Sequence, residues 1–157
     1  TRKESSAASD VYKRQVKQVG IEGCYCFGFD AGGLVAMMLA RKHPTIFKKM
    51  IVAGVFVNGA GIRPYHYLTE GFHRFLRLDR DSRVELTESF ISVDDLKKIT
   101  TPTLCVVGEK DWVKVEHVRW YSQFMPNARL VIMPRQTHDS YAVRSLKLLD
   151  LIKGFCR

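Results

Sequence analysis

Long apolar runs are missing from this chain of 157 residues. No stretch reaches the roughly 18 consecutive apolar residues that a membrane-spanning helix needs, so no membrane span is expected. The first fifteen residues are polar, so no secretory signal peptide is expected at this end. Cysteine is scarce, with four residues. Cys24 and Cys26 are one residue apart, too close for a zinc knuckle. Cys24, Cys26 and Cys105 lie in apolar, strand-like runs and read as reduced core residues of a cytoplasmic protein. No His/Cys/Asp/Glu cluster has ligand spacing and no dinucleotide fingerprint occurs, so no metal and no cofactor is expected. Runs of five like charges are also absent. The net charge of +9 would by itself suit an anionic partner such as nucleic acid, but the basic residues are scattered among acids rather than gathered in a stripe, so no nucleic-acid partner is expected.

What is present begins with an intruder. The segment TRKESSAASDVYKRQ opens the chain, and Ser5 to Gln15 resembles a translated sequencing adapter. No apolar period or helix cap runs through it. Residues 1–15 are set aside as an adapter-derived disordered tail, which supplies +2 of the charge. The genuine sequence is expected to start near Val16, within a longer gene.

From there, short apolar runs alternate with helical patterns. Strands are expected at 23–29, within 47–57, at 101–111 and at 127–134. An almost wholly apolar helix follows the first strand and stops at Pro44. A short helix starts at Ser92, whose cap partner is Asp95. Another runs from Val115 to Met125. A last helix is expected over 140–155, with Leu146, Leu149 and Ile152 on its apolar face. Segment 58–92 carries no strand signal and reads as a lid-like insertion. Strands alternating with helices imply a parallel sheet in an α/β fold. The carboxyl ends of its strands share one edge, where ligands of open α/β sheets bind.

Three residues fall just after strands on that edge: Asp30, Asp111 and His138. Asp30 sits in Gly28-Phe29-Asp30-Ala31-Gly32-Gly33, a sharp strand-to-helix turn. Gly28 and Gly32 suit a tight turn, and Gly33 lets the helix approach the sheet. His138 differs from His43, His66, His73 and His117, which read as polar surface. Trp112 and Trp120 read as packing residues.

The order elbow, acid, histidine resembles the α/β-hydrolase superfamily, over essentially all of 16–157. GFDAGG is similar to the nucleophile elbow, TPTLCVVGEKDWV to the strand and turn of the acid, and NARLVIMPRQTHDSY to the histidine loop. The nearest likeness is to bacterial hydrolases with a Gly-Phe-Ser-x-Gly-Gly elbow and a short helical lid. The resemblance implies a partial α/β-hydrolase fold, holding the last four of eight strands. It implies a catalytic triad of Asp30, Asp111 and His138, with the backbone N–H of Ala31 as one oxyanion donor.

The usual residue at the elbow is serine. Aspartate there resembles haloalkane and fluoroacetate dehalogenases and epoxide hydrolases. A carboxylate attacks an sp³ carbon to give an alkyl-enzyme ester, whereas attack on an ester gives a poor anhydride. A small molecule with a C–halogen bond or an epoxide is therefore the expected substrate. Ala31 stands where the dehalogenases place a halide-binding tryptophan or an arginine. Tyr65 and Tyr67 of the lid are candidates to protonate an opening epoxide. The alternative is a non-catalytic or inactive truncated relative of serine esterases and lipases that acts as a binder. Strand 23–29, without upstream neighbours, is expected to leave an apolar edge open to self-association.

Overall fold

The computed structural model describes residues 23–65 and 91–157. Four strands form one parallel sheet in the order β1-β2-β3-β4: β1 Cys24–Phe29, β2 Phe47–Ala53, β3 Thr103–Gly108 and β4 Ala128–Met133. Helix α1 (Ala31–Lys42) crosses from β1 to β2, α2 (Val93–Lys97) precedes β3, α3 (Val115–Ser122) crosses from β3 to β4, and α4 (Leu149–Cys156) ends the chain. The parallel four-stranded sheet with flanking helices expected from the sequence is the observed α/β arrangement.

The strands were legible because the sheet is covered on both faces, which makes the inner strands continuous apolar runs. Met50 and Val52 of β2, with Cys105 and Val107 of β3, face a core shared with α1, α2 and α3. Ile51, Ala53, Leu104 and Val106 face the opposite side, against Tyr141, Leu148 and α4. All six residues of β3 are buried.

At the edge, β1 alternates differently. Cys24 and Cys26 pack toward the first core, while Tyr25 and Phe27 on the other face are 45% and 46% exposed. Burial pushes the thiol of Cys26 up to about 11, with Cys24 adding to it, and that of Cys105 up to about 12. Both are inert as nucleophiles at neutral pH.

Helix α2 carries the expected cap: Ser92 Oγ accepts from Asp95 N at 3.2 Å. The last helix departs from expectation, because α4 starts only at Leu149. Arg144 has φ 48°, a left-handed conformation that no continuous α-helix accommodates. Ser140 is spent on local bonds, its Oγ accepting from Thr137 N and donating to Gln136 Oε1. The stripe that packs on the sheet shifts accordingly. Leu148, Leu151, Ile152 and Phe155 cover the sheet, and Leu146 is 80% exposed.

A second correction concerns His117. It is buried rather than part of the polar surface. Its Nε2 accepts from Val57 N at 3.2 Å, pinning the chain that leaves β2. Burial, then Lys114, lowers its pKa from 6.5 to about 4. The folded state therefore holds a neutral imidazole. As pH falls through 6.5 the unfolded chain takes up a proton that the folded chain refuses until about 4. Stability from this residue is complete above pH 6.5 and is lost between there and pH 4. In urea titrations, wild type should lose on the order of 1–3 kcal/mol more than His117→Gln between pH 7.5 and 4.5. Equal losses in the two proteins would contradict this assignment.

Candidate active site at the carboxyl edge of the sheet

At the end of β1 the chain turns abruptly into α1. Asp30 N donates to Ala53 O of β2 at 3.0 Å, so the turn stays tied to the sheet. Asp30 O accepts from Gly33 N and Leu34 N at 3.0 and 3.2 Å, which starts the helix. To do both, Asp30 adopts φ 52° and ψ −126°. That is a sparsely populated region for a residue with a Cβ, costing on the order of 1–3 kcal/mol. Its side chain makes no capping hydrogen bond to α1, although aspartate is among the preferred N-caps.

The turn is this tight because Gly28 and Gly33 touch. A Cβ on Gly28 would lie 2.5 Å from the Cα of Gly33, and one on Gly33 would collide with the Val55 side chain. A Cβ on Gly32 would meet nothing within 4 Å. The close approach thus rests on Gly28 and Gly33, as expected for Gly33, whereas Gly32, expected to serve the tight turn, has open space around it. Ala31 and Gly32 open α1, where first-turn N–H groups have no intrahelical acceptor.

Past β3, the chain turns at Glu109-Lys110 and buries Asp111 completely. Its carboxylate is held on both oxygens. Oδ1 accepts from Val113 N at 2.9 Å and from His138 Nδ1 at 2.8 Å. Oδ2 accepts from the Tyr141 hydroxyl at 2.9 Å and from Gly108 N at 3.4 Å. The loop after β4 reaches this turn through Lys110 N, which donates to Gln136 O at 2.9 Å.

His138 is also buried. Since Nδ1 faces a carboxylate, the proton belongs on Nδ1 and the lone pair on Nε2. Among the described residues Nε2 has no hydrogen-bond partner. The imidazole packs against two aromatic rings, Phe29 at 4.6 Å and Trp112 at 4.3 Å between centroids, each tilted by 38°. Gly54, at φ 61°, packs against it: a Cβ there would fall 2.6 Å from His138 Cε1.

Of the residues expected from sequence, Asp111 and His138 are therefore bonded directly. Asp30 shares their edge of the sheet. Phe29 before it stacks on His138, and Ala53, which accepts its N–H, precedes Gly54. Tyr65 is 49% exposed, and Tyr67, His66 and His73 lie outside the described residues. Sequence reasoning missed Tyr141 and Gly54 and left Trp112 to packing alone. Only Gly54 had a signal, an isolated glycine at the end of an apolar run. Among the described residues no group of three or more His, Cys, Asp or Glu can hold a metal ion. No described helix is long and apolar enough to cross a membrane.

A family model described as serine hydrolase (FSH1) matches residues 5–139. The chain belongs to the FSH1 serine hydrolase family. The match begins inside the segment that resembles adapter sequence. The comparison with curated proteins finds no match. Solved structures with the same fold include a meta-cleavage product hydrolase (CumD) from Pseudomonas fluorescens IP01, at 15% identity and TM-score 0.76, covering 97% of this chain and 71% of that one. MGS-M2, an α/β hydrolase from a Medee basin deep-sea metagenome library, has 22% identity and TM-score 0.70 over 94% and 70% of the two chains. An α/β-fold family hydrolase from Bacillus anthracis has 14% identity and TM-score 0.70 over 96% and 72%. At such identities the likeness establishes the α/β-hydrolase fold. This FSH1-family hydrolase carries aspartate at the turn from β1 into α1.

Proposed function

We propose that this hydrolase opens a C–halogen bond or an epoxide of a small organic substrate, with Asp30 as nucleophile, His138 as base and Asp111 as its orienting acid. The observation that carries the reading is the backbone of Asp30, φ 52° and ψ −126° at a strand-to-helix turn. Strain of that kind is retained where a side chain must be presented for chemistry.

The Asp30 carboxylate attacks the electrophilic carbon. A C–O bond forms as the carbon–halogen bond, or one epoxide C–O bond, breaks. With a halide, the leaving group departs as the anion. With an epoxide, the opening oxygen needs a proton, and Tyr65 and Tyr67 are the candidate donors. Water then attacks the carbonyl carbon of the ester. His138 takes its proton on Nε2, and the buried Asp111 carboxylate stabilises the imidazolium through the Nδ1–H bond of 2.8 Å. The Ala31 N–H, at the opening of α1, supports the developing oxyanion. Collapse of the tetrahedral species frees the alcohol and restores the carboxylate.

This route sends the oxygen of water into the enzyme first. With enzyme in excess over 1-bromobutane or styrene oxide in ¹⁸O-water, the label is expected in the Asp30 carboxylate and not in the product. Label appearing directly in the product would refute nucleophilic attack by Asp30.

A second reading has its own support. The family is one of serine hydrolases, and aspartate at the elbow without a tryptophan or arginine after it fits a relative that binds without turnover. Saturable binding with no product from either probe would favour it.

The edge strand suggests self-association as well. Among the described residues β1 pairs on one side only and exposes Tyr25 and Phe27. An apolar edge of this kind pairs with other chains. Light scattering should find oligomers that Phe27→Lys reduces; a monodisperse monomer for the unmodified chain would speak against it.

A further inference from the structure

We propose that Tyr141 is a positioning residue for the acid–base pair, its hydroxyl fixing the rotation of the Asp111 carboxylate so that Oδ1 is presented to His138. The inference rests on the reading of Asp111 and His138 given above.

A carboxylate turns about its Cβ–Cγ bond, and a hydrogen bond on one oxygen alone leaves that rotation soft. Oδ1 of Asp111 already serves two donors, Val113 N and His138 Nδ1. Oδ2 has one short donor, the Tyr141 hydroxyl at 2.9 Å; the other, Gly108 N, is at 3.4 Å, near the limit of a useful bond. Tyr141 is completely buried. Burial, then the charge of Asp111, pushes its phenol far above the ordinary value, so it remains a donor at every working pH.

The geometry of the loop adds a second reason. Tyr141 lies three residues after His138, in a turn closed by Ala142 N and Val143 N donating to Asp139 O. One loop therefore grips Asp111 twice, once through the base and once through the phenol. The α-carbon of Gly54 fills the angle between them: a Cβ there would lie 2.9 Å from His138 Nδ1 and 3.0 Å from the Tyr141 hydroxyl. Docking the loop and orienting the carboxylate are thus one event.

Tyr141→Phe keeps the ring and removes only the donor. In proton NMR of the folded chain, the His138 Nδ1 proton should exchange with water roughly tenfold faster in the variant, and kcat on 1-bromobutane or styrene oxide should fall roughly tenfold with KM within about twofold. A residue that merely packs would lower stability without moving that proton. An unchanged exchange rate in folded Tyr141→Phe would overturn the inference. Where that variant does not fold, 3-fluorotyrosine in place of Tyr141 supplies the test. A stronger donor draws charge from the carboxylate, weakens the Nδ1–H bond and moves the proton upfield, and no movement would overturn the inference. Failure of the triad reading is seen separately: full turnover in Asp111→Asn or His138→Gln sinks the triad, whereas the exchange measurement addresses Tyr141 alone.

Discussion

Asp30→Asn is expected to lower turnover of a haloalkane or epoxide by roughly 10³-fold or more, the scale seen when a covalent nucleophile is removed from an intact site. The substitution is nearly isosteric, so the turn at φ 52° and ψ −126° and the Asp111–His138 pair should survive. What disappears is the anionic oxygen that attacks carbon, since a neutral amide is a far weaker nucleophile. Asp30→Ser should behave differently. A hydroxyl beside an imidazole base attacks acyl carbon rather than alkyl carbon, so this variant should lose dehalogenation and epoxide opening and gain hydrolysis of p-nitrophenyl acetate. Steady-state kinetics on the three substrates separate the outcomes. Undiminished halide release by Asp30→Asn would remove the residue from the mechanism.

Adding one methyl group at either end of the five-residue span from Gly28 to Gly32 should have opposite consequences. At Gly28, a Cβ would meet only backbone: the Cα of Gly33 at 2.5 Å, Gly32 O at 2.8 Å and Gly33 N at 2.8 Å. No rotamer change relieves that collision, so strand β1 and helix α1 must separate. Gly28→Ala is expected to cost about 3 kcal/mol or more and to disturb the Asp30 turn. At Gly32, the same methyl enters open space in the first turn of α1. Gly32→Ala should be neutral or stabilising by up to about 1 kcal/mol, because alanine loses less backbone freedom on entering a helix. Urea denaturation of the two variants provides the comparison. Equal destabilisation by both would mean that the close contact between the strand end and the helix is not what holds the turn.

The contrast shows where sequence was informative. Gly28 and Gly32 read alike as small residues of a tight turn, and only the packing of α1 on β1 distinguishes them. The inner strands β2 and β3 were legible because burial on both faces writes itself as unbroken apolar runs, and the Ser92–Asp95 cap because its two partners are three residues apart. Asp111 and His138 were legible from their places after strands. Features decided across the chain were not. Tyr141 finds its partner 30 residues away, and its neighbourhood looks helical until Arg144 takes a left-handed conformation. His117 looked like surface because the group it accepts from is a backbone N–H 60 residues earlier. Trp112 follows the acid in sequence, but its stacking on His138 depends on the loop after β4.

The claim at the centre of this account is that Asp30 carries the substrate. His138 acts in the second step, so its removal should stall the reaction after the first. Intact-mass and peptide mass spectrometry of His138→Gln incubated with 1-bromobutane tests this most directly. The account predicts a butyl ester that accumulates on the peptide containing Asp30 and is absent from the Asp30→Asn, His138→Gln double variant. An unmodified Asp30 peptide, in a protein whose wild type releases bromide, would contradict it.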